Sequence, residues 1–148
     1  MVEYKIGNLL DALVDYICHQ VNCQGRMGSG IAKQIRERWP IVYDSYVQVA
    51  SSVWLGCVQK VVVDISQKTV INMFAQEYYG YDGKRYTSYD AFWACLGGIR
   101  DSVPKGSKIG FPAKIGCGLG GANWEVISTM IIEVLGKDYD VYIYALEE

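Results

Sequence analysis

Residues 19–40 read HQVNCQGRMGSGIAKQIRERWP, and Gly25, Gly28 and Gly30 fall within six positions of that stretch. Ahead of the glycines, Val14–Val21 has the apolar, β-branched content of a short strand. Behind them, Ile31, Ala32, Ile35 and Trp39 recur at three- and four-residue spacing while Lys33, Arg36 and Glu37 point away, which predicts an amphipathic helix ending at Pro40. Glycine tolerates positive φ and lets backbone approach a ligand closely, so successive N–H groups of such a loop can converge on an anion at the helix N-terminus. A strand, a loop stripped of side chains and a helix make one α/β unit.

Outward from this unit the pattern continues. Val2–Ile6 reads as a strand, followed by turn chemistry at Gly7 and Asn8. Pro40 opens a second helix with Val42, Tyr43, Tyr46 and Val47 on its inner side. CVQKVVVDI (57–65) and TVINMFAQ (69–76) read as strands, and EYYGYDGKRY (77–86) as a loop. Thr87 and Asp90 have the spacing of a capping box for a helix whose inner face carries Tyr89, Phe92, Trp93 and Leu96. SKIGFPAKIG (107–116) supplies a strand, and CGLGGAN (117–123) a second glycine loop. Asn123 caps a helix with Trp124, Ile127, Met130, Ile131 and Val134 inward, and DVYIYAL (140–146) is a buried closing strand. Strands alternating with helices predict a three-layer α/β/α sandwich, as one domain over residues 1–148 without an interdomain linker.

The strand, glycine loop and helix thus occur twice, at Gly25–Gly30 and at Gly116–Gly121, and two such loops can pinch a diphosphate. No G-x-x-x-x-G-K-[ST] occurs, and the order G-x-x-G-x-G is not that of the dinucleotide fingerprint, so neither a P-loop nor a nicotinamide site is expected. With 14 basic against 16 acidic residues and a net charge of −2, a large basic face for nucleic acid is not expected. Five cysteines without a C-x-x-C pair or an N-terminal secretory segment fit the reducing cytosol, and a cytoplasmic protein is expected. A single histidine, His19, speaks against a zinc site; no metal or cofactor is expected, and no apolar run reaches membrane-spanning length. No cysteine is followed six positions later by arginine, and DYDVY at 138–142 only superficially resembles an aspartyl-phosphate motif, which speaks against a phosphoenzyme.

Four ordered blocks, YKIGNLLD, HQVNCQGRMGSGIAKQIRERWP, INMFAQ and IGCGLGGANW, resemble the macro domain family. The resemblance runs from about Tyr4 to Leu146 and is strongest to the branch of ADP-ribose-1″-phosphate phosphatases and the related terminal ADP-ribose glycohydrolases. It implies a mixed sheet between helices and a cleft for ADP-ribose at the strand ends. Asn8 and Leu9 would lie near the adenine, with Asn8 standing where many members have an aspartate. Asn22 would face the distal ribose, and Gly28, Ser29, Gly30 and Ile31 would offer N–H groups to the phosphates. Gly116, Cys117, Gly118, Leu119, Gly120 and Gly121 would close over the diphosphate and distal ribose, with Phe74 either walling the cleft or packing in the core.

The glycohydrolase branch uses a lysine and often an acid at places that here read Ala75 and Gln76, and Gly120. Without that amine no covalent sugar adduct forms, and without the carboxylate the general acid or base is missing. The resemblance therefore implies hydrolysis of ADP-ribose-1″-phosphate to ADP-ribose and phosphate, with Asn22 as the catalytic residue orienting ribose or water. A non-catalytic ADP-ribose-binding module and a hydrolase of O-acetyl-ADP-ribose or ADP-ribosyl esters are the alternatives. His19 reads as a hydrogen-bonded structural residue, Asp82, Lys84 and Arg85 as solvated loop charges, Cys23 and Cys117 as packed thiols, and the protein as a monomer.

Overall fold

In the computed structural model, which describes residues 1–147, the strands β1 (Val2–Ile6), β2 (Tyr16–Asn22), β3 (Val58–Val62), β4 (Thr69–Gln76), β5 (Lys108–Pro112) and β6 (Asp140–Ala145) form one sheet. Its spatial order is β1-β6-β5-β2-β4-β3, with β3 antiparallel and every other pairing parallel. Helices α1 (Gly30–Arg38) and α2 (Pro40–Val49) cover one face, and α3 (Tyr89–Ser102) and α4 (Trp124–Leu135) the other. The predicted three-layer sandwich is present, with a separate apolar core on each side of a mixed sheet.

Local chemistry explains most element boundaries. Pro40 stands at the first position of α2, where its missing N–H costs nothing. Asn123 caps α4, its Oδ1 accepting from the N–H of Glu125 at 2.8 Å. At α3 the cap is Ser88, whose Oγ accepts from Ala91 N at 3.1 Å; Thr87 is instead buried and donates its hydroxyl to the carbonyl of Gly116. Trp93 also departs from expectation and is 47% exposed, because Phe92, Cys95, Leu96 and Ile99 already fill the inner face of α3. Val47 is likewise exposed on α2. The 107–116 strand is shorter than predicted: β5 ends at Pro112, and Lys114 turns the chain away with a φ of 60°.

The pairing of β2 with β5 lasts for two residues only, Tyr16 with Ile109 and Ile17 with Gly110, after which the strands part. From β2 the chain crosses over one face towards β3 and β4, and from β5 over the other towards β6. Their carboxyl ends therefore bound a topological switch point, the place where open α/β sheets form a crevice. Both glycine loops leave the sheet here.

His19, on the parted section of β2, is fully buried, and its Nε2–H donates to Asn72 Oδ1 on β4. Asn72 in turn donates to Gln59 Oε1 at 3.0 Å, and Gln59 to the Ser45 carbonyl at 3.0 Å, so the histidine belongs to a polar chain through the sheet. Burial lowers its pKa from 6.5 to about 4 against the smaller opposing effect of the Asn72 bond. Below pH 6.5 the unfolded chain takes up a proton on this imidazole that the folded chain refuses until about pH 4. The stability it withholds on acidification amounts to ~3 kcal/mol at most. Chemical-denaturation midpoints are expected to fall as the pH is lowered from 6.5 towards 4, and His19→Gln is expected to flatten that slope; an unchanged slope would show that this histidine titrates normally.

Candidate functional site

The loop between β2 and α1 is divided by a single hydroxyl. Tyr46 of α2 is fully buried, and its oxygen accepts from the N–H groups of Gly25 and Arg26, each at 3.1 Å. Its one hydrogen faces the carbonyl of Asn22 at 2.6 Å and Asn22 Oδ1 at 2.8 Å. Asn22 completes the knot: Oδ1 accepts from Gln24 N at 2.9 Å, and Nδ2 donates to the Arg26 carbonyl at 2.9 Å. Burial pushes the Tyr46 pKa up, so the group stays a neutral phenol. The first half of the loop is thereby fixed.

Its second half is left free. The N–H groups of Gly28, Ser29, Gly30, Ile31 and Ala32 have no acceptor among the described residues. Ser29 holds the N-cap position of α1 but does not cap it; its Oγ instead meets the Tyr81 hydroxyl at 3.2 Å. Gly30 has a φ of 58°, which side chains rarely adopt. Gly28 has no such constraint, and an added Cβ would meet nothing within 4 Å, so the fold itself does not require glycine there.

Two hollows flank this row of donors. One, of about 360 Å³, is lined by Asn8, Leu9, Gly30, Ile31, Gln34, Lys114 and Tyr144 among others. The other, of about 320 Å³, includes Gln20, Asn22, Arg26, Gly28, Ser29, Arg36, Gln76, Tyr79, Tyr81 and Leu119 in its wall. Helix α1 separates them, with Ile31 and Gln34 facing the first and Ala32 and Arg36 the second, in keeping with residues four apart sharing a face. The helix N-terminus, with its partial positive charge, lies where they meet.

Most sequence-predicted residues gather here. Asn8 uses its Oδ1 to cap a short 3-10 turn through Leu10 N at 3.0 Å, leaving one lone pair for another donor. Asn22 is 8% exposed and spends most of its amide on the knot, so only one Nδ2 hydrogen is left for a ligand. In the second loop only Leu119 reaches the hollow: Cys117 and Gly121 spend their N–H groups on the carbonyls of Lys114 and Gly118, and Gly120 is buried against Thr87. Phe74 is not a cleft wall. It is fully buried with its ring 5.8 Å from that of Tyr46, so it supports the knot from beneath. Asp82, Lys84 and Arg85 stay outside both hollows, and burial raises the thiol pKa of Cys23 and Cys117.

Several contributors were invisible to the sequence reading. Gln20 donates to Gln76 Oε1 at 2.8 Å and to Thr87 Oγ1 at 2.7 Å, and Gln76 donates to the Tyr78 carbonyl at 2.8 Å. This amide chain ties the floor of the cleft to the tyrosine loop, where Tyr79 and Tyr81 form an upper wall. Gly80 makes that wall possible, because a Cβ there would lie 2.2 Å from the Tyr86 hydroxyl.

A mixed sheet between two helix pairs, with a two-lobed crevice at the switch point, is the macrodomain architecture. No family model matches the sequence. Among solved structures, the macrodomain of Mycobacterium tuberculosis DarG superposes with a TM-score of 0.83 at 26% identity, covering 97% of each chain. A protein of unknown function from Bacteroides thetaiotaomicron superposes with a TM-score of 0.85 at 28% identity, again over 97% of each chain. The DNA ADP-ribosyl glycohydrolase of Mycobacterium tuberculosis is 27% identical over 97% of this chain, which spans 42% of that relative's length. The chain has the macrodomain fold and is similar to these proteins in sequence.

The Tyr46 knot predicts a clear effect. Tyr46→Phe keeps the ring but strands two N–H groups and the Asn22 oxygens, with an expected loss of about 2 kcal/mol in denaturant unfolding; a change below about 0.5 kcal/mol would mean the hydroxyl organises nothing.

Proposed function

We propose that the crevice binds ADP-ribose, with adenosine in the Asn8–Ile31 hollow, the diphosphate on the free N–H groups of Gly28–Ala32, and the distal ribose in the Asn22–Leu119 hollow. The observation that carries this reading is the row of unpaired donors at the head of α1 between two hollows. The names of the similar proteins, a macrodomain and an ADP-ribosyl glycohydrolase, support the same ligand.

The reaction we infer is hydrolysis of ADP-ribose-1″-phosphate. Water adds to phosphorus, the bond from phosphorus to the 1″ oxygen breaks, and that oxygen keeps a proton from the water. The products are ADP-ribose and inorganic phosphate. A glycosidic cleavage fits the lining less well, since the hollow that would take the distal ribose has no lysine, carboxylate or imidazole in its wall. Ala75 is fully buried and Gln76 is engaged with Gln20. Phosphoryl transfer instead draws on positioning and fixed donors, with Asn22 orienting ribose or water through its remaining amide hydrogen. Without a general base, turnover is expected below the ordinary range of roughly 1–10³ s⁻¹.

Phosphate release from ADP-ribose-1″-phosphate, followed beside calorimetric titration with ADP-ribose, tests this. Release and binding together support the assignment. Binding alone makes the protein a reader, and release of ADP-ribose from a modified oligonucleotide or ester would replace the reaction. Gly28→Val, whose Cβ would meet nothing within 4 Å, is expected to weaken ADP-ribose binding by at least about tenfold with an unchanged unfolding midpoint. Undiminished affinity would remove the first loop from the site.

A further inference from the structure

Arg26 and Arg36 both line the second hollow, and no aspartate or glutamate lines it with them. That concentration of positive charge stands out in a chain of net charge −2. Neither guanidinium has a carboxylate partner among the described residues, whereas Arg38, the last residue of α1, pairs with Asp11 at 2.8 Å. Arg36 is nevertheless held in place. Its guanidinium lies over the Tyr43 ring of α2, 3.6 Å from the centroid, and Tyr43 itself lines the hollow.

The position of Arg36 separates it from the diphosphate cradle. Arg36 is six residues beyond Gly30, about 9 Å along the helix axis, and on the face turned from the Asn8 hollow. Arg36 and Tyr43 also border the adjoining groove, where Glu37 and Asp44 lie with Lys33, while the second hollow itself holds no acidic side chain. A planar guanidinium stacked on an aromatic ring keeps its edge available for two parallel hydrogen bonds to phosphate oxygens.

We propose that Arg26 and Arg36 form a second anion subsite that takes the terminal phosphate on the distal ribose, with Tyr43 as the positioning residue for Arg36. This rests on the ADP-ribose reading above and deepens it: it gives this cleft a reason to prefer a ligand ending in a phosphomonoester over ADP-ribose itself. It also puts two charges where the phosphoryl oxygens lie during transfer.

The test titrates ADP-ribose and its non-hydrolysable 1″-phosphonate into the wild-type chain and into Arg26→Gln, Arg36→Gln, Arg36→Lys and Tyr43→Leu. Each glutamine variant is expected to lose about ten- to a hundredfold in affinity for the phosphonate while ADP-ribose affinity changes by less than about twofold. Arg36→Lys is expected to recover only part of the loss, as a point charge that neither stacks nor forks, and Tyr43→Leu to weaken the phosphonate selectively. Raising the salt concentration is expected to narrow the gap between the two ligands. Equal losses for both ligands, or none, would overturn the subsite and leave ADP-ribose binding standing. A wild-type chain that bound neither ligand would instead overturn the reading on which it rests.

Discussion

One buried hydroxyl governs how the first glycine loop can be both rigid and unsatisfied. A loop with several unpaired N–H groups would normally turn to find partners in itself or in water. Here Tyr46 and Asn22 absorb the donors of residues 24–26 and lock the entry to the loop, so the donors of 28–32 cannot relax into internal bonds. Phe74 and Tyr46 pack ring to ring beneath, which makes the knot part of the core on the α1–α2 side. The stability of that core and the order of the edge of free N–H groups are thus one property.

The sheet imposes the complementary constraint. Because β2 and β5 part after two paired residues, the loops that follow them are held at a distance rather than sealed together. The polar groups left along the opening must then be satisfied across strands. His19 Nε2 does so through Asn72 and Gln59, and Gln20 Nε2 through Gln76 and Thr87, whereas His19 Nδ1 and Gln20 Oε1 have no partner among the described residues. Thr87 carries this support to the second loop by donating to Gly116, and the close packing of Gly120 against Thr87 leaves no space for a side chain. The second loop is therefore built mainly from contacts behind it, and only Leu119 is presented to the ligand side.

What the sequence disclosed was what short-range chemistry determines. Helical periodicity in 31–39, proline at the start of α2 and asparagine ahead of α4 act within a turn or two, and these elements lie where the pattern places them. The choice between Thr87 and Ser88 as the α3 cap was not legible, since both hydroxyls suit the role and a contact with Gly116, 29 residues away, decides it. Tyr46 looked like an inner-face helix residue, which it is; its hydroxyl's partners lie twenty or more residues upstream, a separation no local pattern encodes. Arg36 read as a solvated charge on the polar side of α1. That side faces a hollow only because α2 folds back and sets Tyr43 beside it.

These features bear on how such a cleft would work without a lysine, carboxylate or imidazole in the wall of its second hollow. Donors that bind substrate and transition state equally lower KM and leave kcat unchanged. In the proposed complex the amide row at α1 meets parts of the ligand that do not react, so its contribution would be mainly of that uniform kind. On the proposed reading, acceleration would come from groups whose grip strengthens as charge moves within the phosphoryl group, and in this hollow the arginines and the last hydrogen of Asn22 are the available ones. In the proposed phosphomonoester hydrolysis the leaving oxygen takes its proton from the attacking water, and fixed geometry rather than acid–base exchange would set the barrier.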